Sequence, residues 1–328
     1  MKTWSFLIVL GVLIAAGAAD AATYRWMGPD GVVIYSDRPP QPGDLPKAAA
    51  AEAPAPAARA GARGAVDDLL ARSGFKDQVA AIADRLRTEF HRRHGHLVAP
   101  DMTLAREISS ARLRPEALYE AFVVEFAKRI DEERMADALV WFDSPAGRKI
   151  AGLEGRAARA RDGAAELGRF VARLRGEPTR PERVALVQRL DAAGRATENS
   201  IEASLSLLRS VAVAVAPYLP LGQGGAPGEV EGLIKRVRAQ ALSQTRRMSW
   251  IMMLFAYRQL SDPELTQYVE FAESGPGQWY LDAVGRSFVE AVGAVTRGAA
   301  AELVEAVPPA RWHLGPEPRE APRPAASL

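Results

Sequence analysis

From Val66 to about Val307 apolar residues recur at helical spacing. Val79, Ile82, Leu86 and Phe90 form one stripe, and Leu118, Phe122, Phe126 and Ile130 form another at every fourth position. Pro115 suits a first helical position, where the N–H it lacks would have had no helical partner. Asp131 is placed to cap a helix carrying Met135, Leu139 and Phe142. Trp250, Met252, Met253, Leu254, Phe255 and Tyr257 form the densest apolar stretch and read as core. Upstream the period changes from helix to strand. Thr23 to Met27 alternates, with Tyr24 and Trp26 on one face and Arg25 on the other. Gly28-Pro29-Asp30-Gly31 is a turn sequence, and Val32 to Tyr35 is a second strand rich in β-branched residues. An isolated hairpin is marginal in water, so this one is expected to pack on something, with Tyr24, Trp26 and Tyr35 as its contact surface.

The pattern also repeats. At an offset of 130, Asp131 falls on Ser261, Met135 on Leu265, Leu139 on Val269 and Trp141 on Phe271. Ser144 falls on Ser274 and Gly147 on Gly277. Ser73-Gly74 answers Ala193-Gly194 at a slightly shorter offset, absorbed in loops at Gly95 to Asp101 and Gly222 to Gly228. The shared corner has a physical basis. Ser261 and Glu264 make a capping box, each side chain reaching the other's backbone amide. In Phe142-Asp143-Ser144-Pro145-Ala146-Gly147 one helix ends and the next begins, with Ser144 as cap and Pro145 at the first position. Gly147 leaves room for two helices to approach closely. The expected fold is mainly α: two tandem related helical-bundle repeats, 66–176 and 177–307, after a β-hairpin module at 22–40. A disordered Pro/Ala linker is expected at 41–65, where Leu45 is the only large apolar residue, and a disordered Pro-rich tail at 308–328.

The first residues read as an export signal. Lys2 is followed by the apolar run Phe6 to Ala16 and the small-x-small pattern Ala19-Asp20-Ala21. Cleavage is expected after Ala21 or after Ala22, and an uncleaved anchor is the alternative. No later stretch is expected to reach spanning length; Ser249 to Tyr257 and Val211 to Ala216 read as buried helix. The expected compartment is the periplasm. The 328 residues include no cysteine, which excludes disulfides, thiolate nucleophiles, Cys-ligated metals and a lipoprotein anchor. Net charge is only +2, which gives no sign of a nucleic-acid binder.

Two resemblances follow from these residues. Tyr24-Arg25-Trp26, Asp30-Gly31 and Tyr35-Ser36-Asp37 with Pro39-Pro40 resemble the domain-of-unknown-function 4124 family of exported bacterial modules, with Gly28 where the family usually has Asp. Phe142, Ser144, Pro145 and Gly147, and again Ser274, Gly277 and Gln278, resemble the domain-of-unknown-function 2059 family of all-helical exported proteins. Arg148 stands where that family often has Gln, and the second copy shifts its Pro by one place. Both resemblances imply fold and compartment, and neither implies a reaction.

Candidate chemistry is sparse. His91, His94 and His96 share the end of a helix, but Arg92 and Arg93 add repulsive charge, and a solvated helix C-terminus accounts for them equally well. His313 is the remaining histidine, so a histidine relay has little to build on. The Gly222 to Gly228 run follows a helix instead of a strand and reads as a loop, not a dinucleotide site. Carboxylates are scattered, and no pair stands out for acid–base work. Between Arg148 and Arg175 eight basic residues face three acidic ones, and Arg156, Arg159, Arg169 and Arg173 are the candidate contacts for an acidic partner or anionic lipid. The expected function is a non-enzymatic helical binding or scaffold protein of the envelope. It needs no cofactor, and its partner is an envelope protein or a lipid surface. The alternatives are a cell-wall enzyme using carboxylates, or metal handling through the histidines.

Overall fold

The structure, a computed structural model, describes residues 23–46, 59–93, 99–159, 163–221 and 226–311. Among these residues lie one two-stranded antiparallel sheet and twelve α-helices, so the chain is mainly α with a small N-terminal hairpin. Strands β1 (Tyr24–Met27) and β2 (Val33–Ser36) come first. The first seven helices are α1 (Arg59–Arg72), α2 (Phe75–Arg93), α3 (Ala99–Arg112), α4 (Pro115–Ala127), α5 (Glu132–Asp143), α6 (Pro145–Arg159) and α7 (Gly163–Gly176). Then follow α8 (Pro181–Gly194), α9 (Ala196–Val215), α10 (Pro227–Ala256), α11 (Asp262–Glu273) and α12 (Gly275–Ala306).

Local sequence explains most of these boundaries. Pro115, Pro145, Pro181 and Pro227 each open a helix. The Asp131 carboxylate accepts from the Arg134 amide at 3.1 Å and starts α5. Ser261 and Glu264 close the capping box of α11, the Ser261 amide donating to the Glu264 carboxylate at 2.8 Å. At the α5–α6 corner Ser144 Oγ accepts from the Gly147 amide at 3.0 Å; at the α11–α12 corner Ser274 Oγ accepts from the Gly277 amide at 3.2 Å. A Cβ on Gly147 would stand 2.2 Å from the Trp141 carbonyl oxygen, and one on Gly277 would stand 1.8 Å from that of Phe271. Each new helix therefore starts folded hard against the last turn of the one before it.

One apolar core draws on helices from both sides of residue 176. Val66, Leu69, Leu70, Phe122 and Phe126 meet Leu265, Val269, Tyr280 and Ala291 in a single cluster. Trp141 of α5 stacks on Phe271 of α11 with ring centres 3.9 Å apart and planes 10° apart. Phe142 meets Phe271 and Tyr280 edge-on. The packing crosses over: α5 lies on α12 and α11 lies on α6. A second cluster, with Ile201, Leu205, Val230 and Ile234, joins α9 to α10.

Several details differ from the sequence reading. Helix α1 begins at Arg59, inside the segment expected to be linker, because an Ala- and Arg-rich run needs little to turn helical. The tail begins with a short turn, Pro309–Arg311, and Arg311 pairs with the buried carboxylate of Asp101. Asp101 itself lies in α3 and not in a loop. Met252 is 42% exposed, while Leu254, Phe255 and Tyr257 are buried as expected. The side chains of Leu86 and Phe90 lie outside the described residues. One stretch, Ala196–Tyr218, is long and apolar enough to cross a membrane by length and composition, which corrects the expectation that none would be. Its Ala, Val and Leu content raises the mean hydropathy. In the fold it packs between α10 and α12 and carries ion pairs from Glu198, Glu202 and Arg209 to Arg246, Arg238 and Glu231.

Candidate functional site

The hairpin is the first candidate surface. Gly31 has φ of 80°, its amide donates to the Gly28 carbonyl at 3.0 Å, and the Gly28 amide donates to the Val32 carbonyl at 2.8 Å. That turn sets the register: Tyr24 opposite Ser36, Arg25 opposite Tyr35, Trp26 opposite Ile34 and Met27 opposite Val33. Residues directly opposite share a face. Tyr35 therefore stands with Arg25, whose Nε donates to its hydroxyl at 3.3 Å, and not with Tyr24 and Trp26. The contact surface expected from three aromatics is thus divided between two faces. The Tyr24 and Trp26 face docks on the helices. Trp26 is 8% exposed, β1 lies against the short turn Ala216–Tyr218, and the Leu221 amide donates to the Thr23 carbonyl at 2.8 Å. The opposite face is open, with Met27 52%, Val33 38% and Tyr35 63% exposed and Val32 exposed beside them.

The basic segment forms two helices, α6 and α7, and not one. Arg148 donates to the Asp143 carbonyl, and Lys149 reaches across to Glu264. That contact, with the cap at Ser261, holds the Glu264 carboxyl down at about 2. Arg156 on α6 is exposed, as are Arg169 and Arg173 on α7. The Arg173 guanidinium lies 6.0 Å from the Phe170 ring centre. Phe170 and Phe255 pack α7 onto α10, and Arg258 pairs with Glu166 and covers the Phe255 ring at 3.9 Å. The side chain of Arg159 lies outside the described residues, as do those of His91, His94, His96 and His313. Among the described residues no cluster of histidine and carboxylate groups is arranged to hold a metal.

The chemistry that sequence reasoning missed lies beside the first corner. Glu154 of α6 accepts from the hydroxyls of Tyr257 at 2.6 Å and Tyr268 at 2.9 Å, both on Oε1, and from Gln78 Nε2 at 3.2 Å on Oε2. The residue as a whole is partly buried, but its carboxylate is enclosed, and desolvation raises its pKa against the opposing pull of the three donors. Burial and the adjacent carboxylate push both tyrosine hydroxyls well above their ordinary value. The group ties α6 to α2, α10 and α11, and its acceptor positions are taken by structural donors. Next to it opens a cleft of about 390 Å³, floored by Gly74, Ala151, Gly152 and Gly155, with Arg72, Asp77, Asp143 and Arg148 among its lining. Arg72 bridges Asp68 and Asp143 across the rim. No sequence signal would have assembled Glu154, since its donors come from positions 78, 257 and 268.

Comparison with known proteins bears on the hairpin end of the chain. Residues 10–64 match the family model described as Domain of unknown function (DUF4124). The match takes in the hairpin and reaches beyond the signature residues on both sides. No family evidence accompanies it for the helical region. No curated protein and no solved structure matches the chain.

Proposed function

We propose that this is an exported bacterial envelope protein whose helical body is a non-enzymatic scaffold and whose hairpin is a contact surface. The observation that carries the reading is the two-sided hairpin: one face anchored through Trp26, the other presenting Met27, Val33 and Tyr35 to solvent. Export is supported by the leader pattern of residues 2–21 and by the match at residues 10–64 to a module that the sequence resembles in exported proteins. A scaffold role is supported by the enclosure of Glu154, whose carboxylate serves donors on α2, on α11 and at the C-terminal cap of α10.

The helical body is a duplicated unit on this reading, as its resemblance to the domain-of-unknown-function 2059 family implies. Matching caps at Ser144 and Ser274 support it, as do matching close approaches at Gly147 and Gly277. The span 145–176 holds α6 and α7 and the span 275–306 holds α12, at the same offset of 130 as the corners. The basic face at Arg156, Arg169 and Arg173 is a secondary contact.

Cell fractionation with N-terminal sequencing tests export. The expected result is a periplasmic chain beginning at Ala22 or Thr23. Capture from envelope extracts and retention on liposomes test binding. Loss of whichever of these is seen is expected when Met27 and Tyr35 become Glu, and a protein that captures nothing, ignores liposomes and does not self-associate overturns the binding reading.

A further inference from the structure

Four of the ten large apolar residues that stand exposed among the described residues, Met27, Val32, Val33 and Tyr35, fall within this one small hairpin. The register puts Met27 opposite Val33 and Arg25 opposite Tyr35, so Met27, Val33 and Tyr35 point away from the face that Trp26 anchors, and Val32 is exposed beside the turn. An apolar sheet face left open on an anchored element marks an interaction site.

The charges around it indicate its occupant. The hairpin carries Arg25, Asp30, Asp37 and Arg38, two of each sign, so it has no net attraction for an anionic surface. They are also unevenly placed. Asp30 sits alone at the turn, held there by the Val32 amide on its Oδ1 at 3.2 Å. Arg25, Asp37 and Arg38 sit at the other end, two positive groups to one negative. The tip is negative and the base is positive. A surface of this kind is complementary to itself when turned end for end, which is what a two-fold interface requires: residue i meets j, and j meets i.

We propose that the outward face of the hairpin packs against the same face of a second copy of this chain, with the two hairpins antiparallel. Met27 and Val33 of each copy cover those of the other, and each Asp30 lies beside the partner's positive hairpin base. Face-to-face packing covers the open side chains, which edge-to-edge strand pairing would leave exposed. The hairpin is far smaller than the roughly 800 Å² per partner of a standard interface, so association is weak, micromolar or weaker. The inference rests on the hairpin being a contact surface, as proposed above, and names its partner.

Sedimentation equilibrium of the chain from residue 22 onward tests it, with circular dichroism to confirm that each variant stays helical. The expected result is an average mass that climbs toward twice the monomer with concentration. Met27→Glu abolishes the climb, and Asp30→Arg weakens association about tenfold by setting like charges together. Asp30→Arg combined with Arg38→Asp restores it, because the swap reinstates complementarity. A mass that stays monomeric up to about 1 mM overturns the inference. So does a dimer indifferent to Met27→Glu, or a monomer retained on phosphatidylglycerol vesicles through Met27 and Tyr35. A monomer that still captures an envelope partner through the hairpin overturns this inference alone and leaves the binding reading intact.

Discussion

The corners at residues 143–155 and 273–285 make the same turn around different fillings. Both use a serine cap on a glycine amide, and both press that glycine against the preceding helix. Both tie the end of that helix to an earlier one with an ion pair, Arg72 with Asp143 and Arg189 with Glu273. In the second corner Leu281 packs within 3.5 Å of where Gly194 would carry a Cβ, and Asn199 fills the space at Gly285. In the first, Ala151 and Gly152 stand where Leu281 and Asp282 stand in the second, and the cleft opens. Glu154 stands where Val284 would by the same offset. The turn is set by short-range hydrogen bonds and sterics, while the filling around it differs. Any chemistry particular to one half is to be sought in that filling.

The comparison breaks most sharply at the glycines. Gly277→Ala and Gly147→Ala each drive a methyl into a backbone carbonyl of the preceding helix, at 1.8 and 2.2 Å, and backbone cannot rotate away. Each is expected to destabilise by about 3 kcal/mol or more in urea titrations, Gly277→Ala at least as much as Gly147→Ala. Losses under about 1 kcal/mol at both would show that the corners relax and that the shared geometry is incidental.

Glu154 separates the halves next. Glu154→Ala orphans the hydroxyls of Tyr257 and Tyr268 and the Gln78 amide, at an expected cost of about 2–3 kcal/mol. Val284→Ala, at the matching position, removes only apolar contact and is expected to cost about 1 kcal/mol. The pH dependence carries the same information. Burial raises the Glu154 pKa in the folded state, so the fold binds this proton more tightly than the unfolded chain does. That contribution to stability is fully present below the ordinary carboxylate pKa and is lost as pH rises through the raised one. Glu154→Gln keeps an acceptor for the tyrosines and has no proton to lose. It is expected to remove the fall in stability as pH rises above the ordinary carboxylate value of about 4.3. An unchanged slope would place the carboxylate in water.

What was legible in the sequence was what depends on neighbours a few residues apart. Asp131, Ser144, Ser261, Glu264, Pro115 and Gly147 each act within about one turn, and each is where its local pattern put it. Tyr35 shows the limit of alternation. Each strand was read correctly by itself, but the face it shares with the other strand depends on how many residues the turn consumes, and the Gly28–Val32 bond fixes that count. Arg59 was hidden because Ala-rich sequence is compatible with both linker and helix. Glu154 and the Asp101–Arg311 pair were hidden for another reason: their partners lie 76 to 210 residues away, and only the packed fold brings them together.

The smallest effect is also the one whose sign decides. Gly152 and Gly285 both lie in the helix that follows a corner, one bordering the open cleft and the other facing a filled space. A Cβ on Gly285 would come within 2.1 Å of Asn199 Nδ2, a side-chain end that can swing aside only by giving up its bond to the Gly194 carbonyl at 3.2 Å. Gly285→Ala is therefore expected to cost about 1 kcal/mol, the net value of one hydrogen bond less the helix gain. A Cβ on Gly152 meets nothing closer than Arg156 Nη1 at 3.5 Å, an ordinary contact with a mobile group. There the helix gain stands alone, and Gly152→Ala is expected to stabilise by about 0.5–1 kcal/mol. Opposite signs in a denaturation series would show that the first corner tolerates filling. Its open cleft would then be a departure from the tightest packing this fold permits. Destabilisation at both positions would mean that α6 is already as closely packed as α12, and the contrast between the two corners would fail.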